Sequence, residues 1–209
     1  MKEIIYKQIF DFLMRENEKY NLTAIKDYND FLLKHIKDSE LGKEFVYGNV
    51  LDIGSGAGFP GIVLKIEKPE INITMIEGTG KKVNFINNLI KKLDLKDARA
   101  IHTRIEDYNE KEKFNVVTAR AVAPLKTLVE YALPFLKIGG IFVAYKSEDI
   151  NNEIKEADNA IKKLGGKLID VKERKLNEEI IRKFIIIKKE KKCDSIYPRK
   201  QNKPRLQPL

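Results

Sequence analysis

The chain has 209 residues, 43% hydrophobic and 34% charged, with one cysteine and a formal net charge of +9. That length supports one domain with an ordinary core, and the single thiol, Cys193, excludes an internal disulfide, in keeping with a reducing cytoplasm. The apolar runs fall far short of the roughly 18 residues of a membrane span, and Met1-Lys2-Glu3 does not open an apolar secretory leader.

Residues 2–20 place Ile5, Ile9, Phe12 and Leu13 on one helical stripe. Asn21-Leu22-Thr23-Ala24-Ile25 interrupts it. Asp27 or Asn29 then caps a second helix carrying Phe31, Leu32, His35 and Ile36, and 42–48 connects onward. Residues 1–48 therefore read as a helical cap on the main fold. From Val50 strands and helices alternate: strand 50–53, helix 60–67, strand 71–76, helix 81–93, strand 98–102, strand 114–119, helix 125–136, strand 140–146 and helix 148–164. Segments 167–176 and 180–189 are adjacent with no helix between, as a hairpin. The expectation is an α/β fold: a parallel sheet covered on both faces, with one antiparallel strand from the terminal hairpin. Five parallel strands plus such a hairpin is the layout of the class I AdoMet-dependent methyltransferase (Rossmann-like) fold. Residues 49–189 would form it, leaving 190–209 as a tail.

Charge is uneven along this plan. From Lys188 to Leu209, eight Lys or Arg stand against Glu190 and Asp194, a surplus of +6 that leaves +3 for the first 187 residues. A basic tail on a nearly neutral body points to a polyanion such as nucleic acid, and its prolines favour an extended arm. The plainer alternative is a solvated tail that aids solubility.

The stretch with most chemical content is Val50-Leu51-Asp52-Ile53-Gly54-Ser55-Gly56-Ala57-Gly58-Phe59-Pro60-Gly61. A strand runs into a turn with glycines at 54, 56 and 58, so backbone can approach a ligand at the opening of a helix. The NAD fingerprint is Gly-x-Gly-x-x-Gly, and here the third glycine comes one residue early. A phosphate-binding loop would need Gly-Lys-Ser/Thr where Phe59-Pro60-Gly61 stands, and Pro60 removes an N–H that a diphosphate would use. Asp52 adds negative charge, unfavourable to a diphosphate and compatible with a sulfonium. The turn thus favours S-adenosylmethionine. Glu77 ends the next strand, 19 residues after Gly58, where a carboxylate accepts ribose hydroxyls. Arg104-Ile105-Glu106-Asp107 comes after the third strand and would meet the adenine ring.

Arg120 comes after the fourth strand, at the carboxyl edge where open α/β sheets bind ligands. It could meet the methionine carboxylate, an RNA phosphate or the O6 edge of a guanine. Lys146, at the end of the fifth strand, could face RNA phosphate. His35 reads as a packed histidine, His102 as weaker still, and no His/Cys/Asp spacing suggests a metal. Phe59 and Tyr145 are the aromatics nearest the expected site.

Asn21-Leu22-Thr23-Ala24-Ile25, Lys34-His35-Ile36-Lys37-Asp38-Ser39, the glycine turn, Arg104-Ile105-Glu106-Asp107, Val117-Thr118-Ala119-Arg120-Ala121-Val122-Ala123 and Tyr197-Pro198-Arg199-Lys200 occur together and in order. In this combination the chain resembles the bacterial 16S rRNA guanine-N7 methyltransferase family, also called glucose-inhibited division protein B, from about residue 17 onward. The resemblance implies that Gly54 and Phe59 contact S-adenosylmethionine, that Ile105 and Glu106 hold the adenine and that Arg120 sits at the active-site mouth; Gly56, Gly58 and Glu77, from the turn and strand end, complete the expected cofactor-binding set. Lys146, Arg199, Lys200, Lys203 and Arg205 would contact RNA. The implied substrate is a guanine of the 530 loop of 16S rRNA (guanine 527 in customary rRNA numbering), on the free RNA or a small-subunit precursor, methylated by a cytoplasmic monomer. Two segments depart from the family pattern: Gly78-Thr79-Gly80 after Glu77, where a serine is more usual, and Gln201-Asn202-Lys203 in place of Pro-Gly-Thr. Guanine N7 has an in-plane lone pair and no proton, so no general base is required. Two other readings stay open at this level: a methyltransferase for a small molecule or protein, and a non-catalytic RNA-binding protein.

Overall fold

The computed structural model describes residues 2–147 and 150–209. Seven strands form one sheet: β1 (Asn49–Ile53), β2 (Asn72–Glu77), β3 (Ala98–His102), β4 (Phe114–Arg120), β5 (Leu136–Lys146), β6 (Gly166–Lys175) and β7 (Ile181–Lys189). Their order is β3-β2-β1-β4-β5-β7-β6. The first five strands are mutually parallel, and β7 runs antiparallel to both neighbours. This is the expected layout.

Two layers of helix explain the near-continuous apolar inner strands β1, β2 and β4, which are covered on both faces, whereas the edge strands β3 and β6 are partly exposed. On one face Val50, Ile73, Val116 and Val143 pack with Ile9 and Leu13 of helix Lys2–Tyr20, Ile62 of helix Gly61–Glu67 and Ile86 of helix Gly80–Lys92. On the other, Leu51, Val117 and Phe142 pack with Leu128 of helix Leu125–Ala132 and Ile161 of helix Asn151–Lys163. Each fully buried side chain of this kind stabilises the fold by about 1.5–3 kcal/mol. Asp52 is the polar exception among the buried residues of β1, with no exposed surface.

Three local departures from the sequence reading have physical causes. The helix beginning at Leu125 ends at Ala132. Pro134 has no amide hydrogen and cannot continue the ladder, so Leu133–Phe135 tighten into a 3₁₀ turn and β5 already starts at Leu136. The second helix, capped by the Asp27 carboxylate accepting the Asp30 N–H at 2.9 Å, widens to π-helical geometry over Leu32–Lys37 before closing with Asp38–Glu40. Such widening is often found at functional sites. The tail is not an extended arm: Tyr197 and Pro204 are buried, and the segment folds back on the sheet's second helical layer. Residues 148 and 149 of the expected helix 148–164 lie outside the described residues; the helix seen is Asn151–Lys163.

Candidate active site

The strand order reverses between β1 and β4, the position at which open α/β sheets bind ligands. A pocket of about 640 Å³ lies there, lined by the glycine turn, the ends of β2 and β4, the turn after β3 and the folded-back tail.

The glycine turn forms the floor. Gly54 has φ +67° and Gly56 φ +60°. A Cβ at Gly54 would stand 2.6 Å from Val122, whereas one at Gly56 would meet nothing within 4 Å and project into free space. Below the turn, Asp52 accepts hydrogen bonds from the Thr118 hydroxyl at 2.9 Å and the Gly61 N–H at 3.2 Å, tying β1 to β4 and to the helix start. Burial pushes its carboxyl up to about 6.

Glu77 closes the next side. Its carboxylate accepts the Gly56 N–H at 3.0 Å and the Thr79 N–H at 2.9 Å, so the end of β2 and the glycine turn hold each other. Each carboxylate oxygen keeps a further lone pair for a ligand hydroxyl. Ile105 and Glu106, buried in a 3₁₀ turn after β3, line the far end beside Tyr131. Burial, with the Glu106 carboxylate close by, pushes the Tyr131 phenol up.

The opposite end is built around Arg120. Its Nη1 donates to the Asp38 carboxylate at 2.8 Å and to the Lys34 carbonyl at 3.1 Å, and its Nη2 lies 3.3 Å from His35 Nδ1. Arginine has only donors, so Nδ1 accepts and His35 carries its proton on Nε2, which donates to the Thr23 hydroxyl at 3.1 Å. Burial, then the Arg120 cation, hold the His35 pKa down at about 3. The neutral ring stacks on Phe59, centroids 4.4 Å apart and planes 11° from parallel. The remaining Asp38 oxygen accepts from Arg182 Nε at 2.5 Å. A second cavity of about 510 Å³, lined by Lys34, Arg120, Lys146 and Arg182 among others, shares the Arg120 wall with the first.

The structure therefore brings together Gly54, Gly56, Phe59, Glu77, Ile105, Glu106 and Arg120 around one pocket. Gly58 is not among its lining residues; its N–H closes the turn onto the Ser55 carbonyl at 2.8 Å. Lys146 is held by the Glu153 carboxylate at 2.7 Å and the Ala123 carbonyl at 3.2 Å. Arg199 is paired with Glu130, and Arg205 lines the pocket. Lys200 stays exposed, 3.8 Å from Asp107, and Lys203 is exposed. Tyr145 is buried behind Arg120, edge-on to Phe184. Sequence reasoning missed Asp38, Tyr131, Arg182 and Asn202 as part of this surround. Asp38 gave a signal as an acid inside Lys34–Ser39, and Asn202 as part of the departing Gln201-Asn202-Lys203; Tyr131 and Arg182 gave none. Among the described residues, no group of three or more His, Cys, Asp and Glu could hold a metal ion.

Solved structures resemble this one in fold. They include M. jannaschii TYW2 in complex with AdoMet (TM-score 0.62, 20% identity, 74% of this chain and 76% of that one). Another is a SAM-dependent methyltransferase from Aquifex aeolicus (TM-score 0.57, 18% identity, 75% and 92%). The sequence comparisons go further. The family model for rRNA small subunit methyltransferase G matches residues 4–183. The protein of that name from Desulforamulus reducens is 43% identical, covering 99% of this chain and 90% of its own length. That from Clostridium botulinum (strain Alaska E43) is 41% identical over 100% and 90%. The chain belongs to the rRNA small subunit methyltransferase G family.

The residues fit the cofactor of that family, S-adenosylmethionine. Gly56 leaves open the space that any side chain would fill, and the buried Glu77 carboxylate faces the pocket with acceptor capacity to spare. This geometry offers a nucleoside a floor of backbone and, at Glu77, an acceptor for hydroxyls. The Arg120–His35–Phe59 cluster lies at the other end of the same pocket, on the wall that Arg120 shares with the second cavity.

Proposed function

We propose that the chain methylates N7 of a guanine in the 530 loop of 16S rRNA, working as a cytoplasmic monomer on the free RNA or on a small-subunit precursor. The chain is an S-adenosylmethionine-dependent methyltransferase of ribosomal RNA by family. The cofactor supplies an electrophilic methyl group on a sulfonium. Gly54 and Gly56 let the backbone approach it, Glu77 takes the ribose, and Ile105 and Glu106 bound the purine. Arg120, anchored by Asp38, presents a fixed cation at the junction with the second cavity, suited to an RNA phosphate or a guanine O6.

The observation that carries the N7 reading is the state of His35, the histidine that lines the pocket. Both ring nitrogens are engaged, and it is held neutral far below its ordinary pKa. It positions Arg120 and Phe59 and serves as a wall. An acceptor with a lone pair and no proton suits this arrangement, because alignment of nucleophile and methyl group is then the whole requirement. No helix of the described residues is long and apolar enough to cross a membrane. The test is to incubate the protein with radiolabelled S-adenosylmethionine and either naked 16S rRNA or small-subunit particles, then map the product. N7-methylguanine in the 530 loop is expected; a methyl group on any other atom or site would overturn the proposal.

A further inference from the structure

The tail is basic, yet its arginines are engaged within the molecule. Arg199 forks onto Glu130, whose side chain has no exposed surface: Nη2 lies 2.7 Å from Oε2, and Nε and the Arg199 amide lie 2.9 and 2.8 Å from Oε1. The Thr127 hydroxyl donates to the Pro204 carbonyl at 3.0 Å, and Arg205 Nη2 donates to the Val122 carbonyl at 2.9 Å. Three anchors on helix Leu125–Ala132 and the loop before it thus hold the tail as a strap. Between the anchors the chain turns at Gln201 and Asn202, with φ +60° and +58°. That turn brings Asn202 and Arg205 into the wall of the pocket that holds Gly54, Glu77 and Glu106.

A solvated tail would have no reason to satisfy a fully buried carboxylate, and an arm reserved for RNA would keep its guanidiniums free. Arg205 instead stands close to Tyr131 and on the same wall as Glu106, at the purine end of the pocket. A purine offers in-plane acceptor nitrogens and a π face, both matched by a planar guanidinium. The opposite end of the pocket already has a cation, Arg120, beside His35 and Phe59.

We infer that the C-terminal strap is part of the cofactor site, with Asn202 and Arg205 contacting the adenosine half of S-adenosylmethionine, so that strap docking and cofactor binding reinforce each other. The inference rests on reading this pocket as the S-adenosylmethionine site. Coupling of this kind is reciprocal: cofactor tightens the strap by the factor by which the docked strap tightens cofactor.

The test uses the full chain and the stable product S-adenosylhomocysteine. Calorimetry on the native protein, Arg205→Ala and Asn202→Ala gives affinities, and amide hydrogen exchange over residues 199–207 is followed with and without ligand. Arg205→Ala is expected to weaken binding about tenfold, the scale of losing one good charge-assisted contact. Its melting temperature without ligand should stay close to native, because Arg205 is exposed. Ligand should slow exchange across the native strap. An RNA-only role predicts instead unchanged S-adenosylhomocysteine affinity and a salt dependence of RNA binding shallower by about one phosphate contact. Native affinity in Arg205→Ala together with unchanged strap exchange would overturn the inference. Failure of the native chain to bind S-adenosylhomocysteine would overturn the cofactor reading and the inference with it.

Discussion

Asp38, its side chain only 2% exposed, is the shared counter-ion of two cations, Arg120 at 2.8 Å and Arg182 at 2.5 Å. Replacing it by alanine leaves two guanidiniums, 14% and 17% exposed, facing each other without an anion. Removing one partner of a buried pair costs about 3–5 kcal/mol, and the partial exposure of both arginines places this site at the lower end, near 3 kcal/mol. For a chain of this size each kcal/mol lowers the melting temperature by roughly 2–4 °C, so Asp38→Ala should melt about 10 °C below native. Removing one stranded cation as well should recover part of the loss: Asp38→Ala with Arg182→Gln should be more stable than Asp38→Ala by about 1 kcal/mol. Such non-additivity is expected of residues in one ion-pair network. Thermal denaturation of native, both single variants and the double variant completes the cycle. A shared counter-ion is refuted if Asp38→Ala melts within about 2 °C of native, or if the two substitutions simply add.

Gly56→Val places a branched side chain in the cofactor space and forces φ +60° on a residue that resists it, at about 1–2 kcal/mol of strain. The protein should stay folded and lose S-adenosylhomocysteine binding in calorimetry. Glu77→Gln keeps the size but removes the anion that holds the Gly56 and Thr79 amides, and should weaken the same binding by about tenfold or more, roughly 1.5–3 kcal/mol for a charged hydrogen bond. His35 carries a folded-state pKa of about 3 against 6.5 in an unfolded chain. Below 6.5 the unfolded chain takes up the proton first, so this contribution is full above that pH and is lost as pH falls toward 3. Urea midpoints at about pH 7.5 and pH 5 should therefore fall more steeply on acidification for native protein than for His35→Gln. Parallel pH dependence would contradict the assigned neutral ring.

The alternation from Val50 onward made the sheet legible, because buried parallel strands need continuous apolar runs of a kind that polar-faced helices do not show. The glycine turn, Glu77 and Arg120 were legible because each sits at a strand end, where position alone implies a site. The boundary at Leu136 was not, since Leu125 to Leu136 keeps helical spacing and only Pro134 marks the break. Asp38 and Arg182 are 144 residues apart in the chain, and nothing local to either announces the other. The tail misled for a related reason. Net charge counts arginines without showing their partners, and Glu130 lies on a helix whose apolar pattern gave no hint of an acid held for Arg199.

The reversed direction of β7 bears on how this scaffold can change. Because β7 runs against β5, with Lys146 beside Lys183, it begins at the edge where the parallel strands end. The hairpin turn 176–180 therefore projects from the same rim as the glycine turn, displaced sideways by the width of β4 and β5. Arg182, the first basic residue of β7, already reaches the Arg120 anchor from there. Insertions or exchanges in that turn would reshape what approaches the rim while leaving β1, β2 and their pocket-lining ends untouched. The rim beside the second cavity and the floor of the first pocket thus occupy separately variable stretches of one chain.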